Sequence, residues 1–212
     1  YRFGETDYRI GGFRELDRGF DFYAPQILQD KQERTLLIGW MGMPDSDYDN
    51  APTLKNGWQH CLTIPRELYL TKEGQLAQRP IRELETIRGE RHEEHFSGTF
   101  RQNVPLLFDM ELDFEKCESF TIRIRENAVL TYDKDALLLD ISRCGRGRKT
   151  RGVHLQNIRN IRILSDSSTL EVFVNDGEEV FTTRIYDSMT DLSCEMTEGN
   201  AQGSVVWYEL QP

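Results

Sequence analysis

The stretch LEVFVNDGEEVFTTRIY, residues 170–186, decides the fold. Leu170, Val172 and Val174 alternate with Glu171 and Phe173, the period of a β-strand. Asn175, Asp176 and Gly177 follow, residue types that tolerate the positive φ of a tight turn. From Val180 the extended pattern resumes, so the segment reads as an antiparallel hairpin. The same signal recurs outward. FTIRIR, residues 120–125, alternates strictly, and SVVWYE, residues 204–209, reads as a closing strand. TLLIGWM, residues 35–41, is an apolar run bounded by charge and predicts a strand buried on both faces. Leu62, Ile64, Leu68 and Leu70 continue the extended pattern, and Pro65 between them predicts an edge position or a bulge. Only residues 80–88 look helical, with Pro80 in the first turn and Ile81, Leu84 and Ile87 at helical spacing. The charged RGERHEEH, residues 88–95, has no apolar period and is read as a solvated linker and domain boundary. Before it lies a Trp- and Pro-rich region. After it, short strands at regular intervals suit a β-sandwich.

Composition narrows the function classes. A net charge of −10 over 212 residues argues against a nucleic-acid surface. No apolar run reaches the roughly 18 residues that span a bilayer, so no membrane partner is expected. Cys61, Cys117, Cys144 and Cys194 are irregularly spaced and form no CxxC pair, which argues against structural zinc and fits a reduced, cytoplasmic setting. No cofactor is indicated. The chain opens on Tyr1 rather than Met, and is expected to be cut from something longer.

Three polar clusters invite sharper readings that their spacing does not sustain. His92-Glu-Glu-His95 has its histidines three apart, where the zinc-protease helix needs four. Asp45, Asp47 and Asp49 start like a calcium loop, but glycine and glutamate are missing from its sixth and twelfth positions. Arg143, Arg146, Arg148, Lys149 and Arg151 have no interleaved aromatics and read as a solvated hairpin loop. The aromatic residues carry more weight. Tyr23, Trp40 and Trp58 offer faces that can cover the C–H surfaces of sugars, and composition leaves a core role as open as a sugar platform for each. Trp58 is assigned to the core.

Four stretches together carry a resemblance: LDRGFDFYAPQ (16–26), RTLLIGWM (34–41), GWQHCLTIPREL (57–68) and LEVFVNDGE (170–178). In this order they resemble glycoside hydrolase family 32. The resemblance implies an all-β architecture, with residues 1–90 the last part of a five-bladed β-propeller and 96–212 a C-terminal β-sandwich. It also implies retaining hydrolysis of a β-fructofuranosyl bond by two carboxylates about 5–5.5 Å apart. The expected substrate is sucrose-6-phosphate or sucrose, with levanase or inulinase activity as the rival within the family. The family's W-M-N-D-P-N-G, E-C and R-D-P motifs do not occur here, so the chain supplies no catalytic residue and is expected to be inactive alone. Tyr23 and Trp40 match aromatic positions expected to line the fructosyl pocket. Asp21 matches no catalytic position and is expected to hydrogen-bond behind them. The alternative is a non-catalytic β-sandwich module for glycan binding or assembly. An incomplete propeller also predicts self-association through its exposed strand edges.

Overall fold

The computed structural model describes residues 13–212. It is almost wholly β. Strands β1 (Tyr23–Gln29), β2 (Thr35–Met41), β3 (Cys61–Leu62), β4 (Arg66–Leu70) and β5 (Leu76–Pro80) form one five-stranded antiparallel sheet. A second, ten-stranded sheet follows. It comprises β6 (Arg88–Ser97), β7 (Phe100–Asn103), β8 (Phe108–Ile124), β9 (Ala128–Asp133), β10 (Ala136–Asp140), β11 (Thr150–His154), β12 (Asn160–Ser165), β13 (Thr169–Val174), β14 (Glu179–Arg184) and β15 (Ser193–Leu210).

The first sheet is organised by β2, which pairs with β1 on one side and with β3 and β4 on the other. Its expected burial on both faces is corrected. Leu37, Gly39 and Met41 are buried, whereas Leu36, Ile38 and Trp40 are half-exposed, so the strand alternates. Pro65 sits in the break between β3 and β4, and among the described residues β3 pairs only with β2, at the edge of the sheet. The expected helix at 80–88 is a six-residue 3-10 turn, Arg82–Ile87, with Pro80 left in β5. Among the described residues there is one short α-helix, Ala51–Leu54, too brief to leave an apolar period in the sequence. No helix among the described residues is long and apolar enough to cross a membrane.

The second sheet curls because two strands are far longer than the regular short strands expected. One end of β8 (108–113) pairs with β12 and the other (120–124) with β9, while β15 runs along the whole of β8. Register shifts at Met196/Glu198, Asn200/Ala201 and Gln202/Gly203 mark irregularities in this ribbon, and such bulges increase local twist and bend a strand. Both ends feed one apolar cluster, which includes Met110, Leu112, Ile122, Leu130, Leu139, Val172 and Phe181.

The segment 88–95 read as a solvated linker is instead most of β6, bonded along its length to β15. Charge conceals it: an edge strand is protected from wrong pairing by charged side chains, and these erase the apolar period. His92 and His95, three apart on a strand, face opposite ways, and the His92 ring stacks on Trp207 at 4.0 Å.

The 170–186 hairpin forms as its sequence predicts. Val174 pairs with Glu179, and Asn175, Asp176 and Gly177 all take positive φ in the turn. Yet β14 is buried at every position, because a second layer covers its other face. That layer is the five-stranded sheet. The Gln78 amide donates to the Gly177 carbonyl at 3.0 Å, and a Cβ at Gly177 would collide with the Gln78 carbonyl.

Candidate functional site

The segment before β1 is laid along β14 by its backbone. The Arg18 amide donates to the Val180 carbonyl, and those of Phe20 and Asp21 to the Thr182 carbonyl. Two buried ion-pair networks fix it there. In the first, Arg66 is fully buried and meets Asp17 at 3.0 Å and Glu171 at 2.6 Å, with Gln78 and Thr182 as further acceptors. Burial pushes the Glu171 carboxyl up, and the Arg66 guanidinium and the Ile64 amide oppose that shift. The guanidinium also lies between the rings of Phe22 and Phe173, 5.1 and 5.2 Å from their centroids.

The second network holds Asp21. Its carboxylate accepts from Arg148 through Nε at 2.7 Å and Nη2 at 2.6 Å, and from the Arg184 amide at 2.8 Å. Arg148 also donates to Asn50, whose side-chain oxygen accepts from the Tyr186 hydroxyl. The basic stretch 143–151 is therefore only partly a solvated loop. Arg148 is buried, Arg146 pairs with Asp49, and Arg151 lies over the Phe20 ring. Asp49 also caps the Ala51 amide at 2.6 Å, and the Arg146 hydrogen bond holds its carboxyl below the usual carboxylate range.

Immediately past Asp21 the chain turns outward. Ala24 has φ of 43° and the β1–β2 register shifts between Tyr23 and Gln26, the kind of irregularity that re-aims a side chain. Tyr23 stands opposite Trp40, with ring centroids 6.0 Å apart. His60 meets Trp40 edge-on at 4.7 Å. Tyr23 is 45% exposed, so this row of three rings presents an aromatic face to solvent. Burial, then the charges of Arg184 and Arg148, push the His60 imidazole below its ordinary value. The neutral ring is thereby favoured beside the two aromatics.

The three expected site residues thus divide. Tyr23 and Trp40 are in contact at the surface, whereas Asp21 lies fully buried behind them in the Arg148 pair. Trp58 is not in the core as read. It is 39% exposed and covers the buried Arg184 guanidinium at 5.0 Å. His60 and Arg148 were not singled out as site residues. A lone histidine carries no periodic signal, and Arg148 was hidden in a run of exposed basic residues. The four cysteines are all free thiols.

Comparison with models of known families matches residues 2–80 to the glycosyl hydrolases family 32 N-terminal domain and residues 82–210 to the glycosyl hydrolases family 32 C terminal. Among curated relatives, a sucrose-6-phosphate hydrolase of Salmonella typhimurium is 40% identical over 192 residues, covering 86% of this chain and 39% of the relative. A sucrose-6-phosphate hydrolase of Bacillus subtilis (strain 168) is 35% identical over 200 residues, covering 88% of this chain and 42% of the relative. This chain therefore spans about two-fifths of the length of these relatives. Among solved structures, the sucrose-6-phosphate hydrolase of Lactobacillus gasseri superposes with a TM-score of 0.82 at 22% identity, over 92% of this chain and 42% of that one. A Bombyx mori GH32 β-fructofuranosidase superposes with a TM-score of 0.77 at 25% identity, over 93% and 42%.

Proposed function

This chain belongs to glycosyl hydrolase family 32, and from that premise we propose that it is the C-terminal portion of a cytoplasmic enzyme hydrolysing the β-fructofuranosyl bond of sucrose-6-phosphate or sucrose with retention. On this reading the five-stranded sheet, within residues 1–90, completes a five-bladed β-propeller. Residues 96–212 form a β-sandwich that braces it. The nucleophile and the acid/base carboxylate of such a reaction belong to family motifs that this sequence does not contain. The 212-residue chain is accordingly inactive by itself.

One observation carries the assignment of roles. The motif at 16–26 is split by the structure: Asp17 and Asp21 are consumed in buried ion pairs, while Tyr23 emerges beside Trp40 on an accessible aromatic face. Tyr23 and Trp40 supply the apolar surface a sugar ring stacks on, and Asp21 holds that face in place through Arg148. The phosphorylated substrate is favoured by the names of the two curated relatives.

The test is fructose release from sucrose and from sucrose-6-phosphate. It compares the 212-residue chain with a longer polypeptide bearing the three missing motifs. Activity only in the longer polypeptide, with Trp40→Ala raising KM more than it lowers kcat, is the expected outcome. Turnover by the 212-residue chain would overturn the assignment.

A further inference from the structure

Among the described residues four arginine side chains are fully buried: Arg66, Arg125, Arg148 and Arg184. Three of them meet a carboxylate. Arg66 pairs with Asp17 and Glu171, Arg125 with Asp187 at 2.7 Å, and Arg148 with Asp21. The Arg184 guanidinium meets none among the described residues, and Asp21 accepts from its backbone amide instead. Its partners are neutral. Nε donates to the Ser168 carbonyl at 3.1 Å, Nη2 to the Ser168 hydroxyl at 2.9 Å and Nη1 to the Gln59 carbonyl at 2.8 Å. The ring centroids of Trp58 and Tyr186 lie 5.0 and 5.4 Å from its central carbon. A buried charge without a counter-charge costs folding free energy, and departures of this sort gather at functional sites.

What the guanidinium holds is the segment 58–60. Arg184 ends β14 and Ser168 directly precedes β13, whereas Trp58 and Gln59 lead into β3 of the other sheet. One planar fork of N–H donors therefore ties the two sheets together. The Thr53 hydroxyl also reaches the Gln59 carbonyl, but at 3.3 Å. His60 is fixed on both flanks. Arg184 holds the carbonyl before it, and the Met41–Cys61 pair of the β2–β3 ladder follows it. Between these anchors the His60 ring meets Trp40 edge-on at 4.7 Å. Gly42 leaves room for the contact, since a Cβ there would come within 2.8 Å of both rings.

We propose that Arg184 is a positioning residue. From the curled sheet it sets the place of His60 against Trp40, and with it the shape of the aromatic face that receives the fructosyl unit. The receiving role rests on the sugar-face reading of Tyr23 and Trp40, whereas the hold on His60 does not. The fork is what the position requires. A lysine keeps the charge, but a compact ammonium cannot reproduce the planar set of bonds that spans Ser168 and Gln59.

The test reads the imidazole signals of the 212-residue chain by NMR, assigned with His60→Gln and His92→Gln. His60 stands against Trp40, and His92 stacks on Trp207 in the curled sheet, so an indole ring current marks one contact in each sheet. In Arg184→Lys the His60 signal is expected to move towards the position it takes in Trp40→Ala, while the His92 signal stays. An unmoved His60 signal beside an intact His92 signal would overturn the proposal. If Arg184→Lys unfolds, both signals collapse and Ser168→Ala decides, because it removes only one acceptor of the fork. A smaller displacement of His60 in the same direction is then expected, and none would overturn the proposal. In the longer polypeptide bearing the missing motifs, Arg184→Lys should raise KM about three- to tenfold, the worth of one aromatic contact, with kcat changed less. If Trp40→Ala raises KM and Arg184→Lys does not, the positioning role fails alone. If Trp40→Ala leaves KM unchanged, the sugar-face reading fails, and the hold of Arg184 on His60 is decided by the NMR signals.

Discussion

Asp21 and Arg148 have both left water, and the bidentate contact at 2.6 and 2.7 Å compensates their lost hydration. A buried pair of this kind adds little net stability, but removing one member strands the other. Asp21→Ala is therefore expected to cost about 3–5 kcal/mol in denaturant unfolding. The double variant with Arg148→Met should cost clearly less than the sum of the single changes. Additive costs would mean that the two charges are not coupled. His60 gives a pH prediction. Its folded-state value is depressed, first by burial and then by Arg184 and Arg148. The stability it contributes is therefore present above about pH 6.5, the ordinary histidine value, and is lost as pH falls towards the lowered one. His60→Gln should flatten the acid limb of a melting-temperature profile over that window, and an unchanged limb would remove His60 as its cause. At this scale the sequence was only partly readable. Tyr23 and Trp40 stood out because their residue type is itself the signal. Arg148 did not, since its burial depends on a carboxylate 127 positions away.

Elements whose cause is local were readable, and those whose cause is distant were not. The β13–β14 hairpin is dictated by Asn175, Asp176 and Gly177, whose left-handed backbone is a property of those few residues. Strand β6 depends on β15, more than a hundred positions away, and its charged side chains give no periodic sign of it. The same distinction separates two glycines. Gly74 and Gly177 have φ of 78° and 82°, but a Cβ at Gly74 would meet open space, whereas one at Gly177 would strike the Gln78 backbone. Gly74→Ala should cost only the left-handed backbone penalty, about 1–2 kcal/mol. Gly177→Ala should cost more and should raise amide exchange in β5, which is docked there through the Gln78 amide. Equal costs would mean that the β5–turn contact contributes nothing.

Across the whole molecule, the two sheets differ in how they treat apolar surface. The curled sheet encloses one cluster, in which residues such as Phe108, Leu130, Val172 and Phe181 are fully buried. In the five-stranded sheet every residue of β1 is exposed, Ile27 by 64%, and Leu62 and Leu70 are exposed by 64% and 69%. Among the described residues β1 has β2 as its only strand partner, so its outer edge presents unpaired amides and carbonyls beside apolar side chains. Native proteins normally blunt such edges with charge, proline or a bulge. Here Pro25 and the irregularity at Ala24 protect only the start of the strand. From Gln26 to Gln29 the ladder is regular and carries no charge. The isolated chain is therefore expected to self-associate through this edge, with a sedimentation coefficient that rises with concentration. Ile27→Lys places a charge on the exposed strand without touching the buried networks, and should shift the distribution towards monomer while leaving the melting temperature nearly unchanged. A longer polypeptide whose preceding strands cover β1 should sediment as a single species at every concentration, and Ile27→Lys should destabilise it instead. A strictly monomeric wild-type chain would show that β1 needs no partner, and the propeller reading would lose its physical motive.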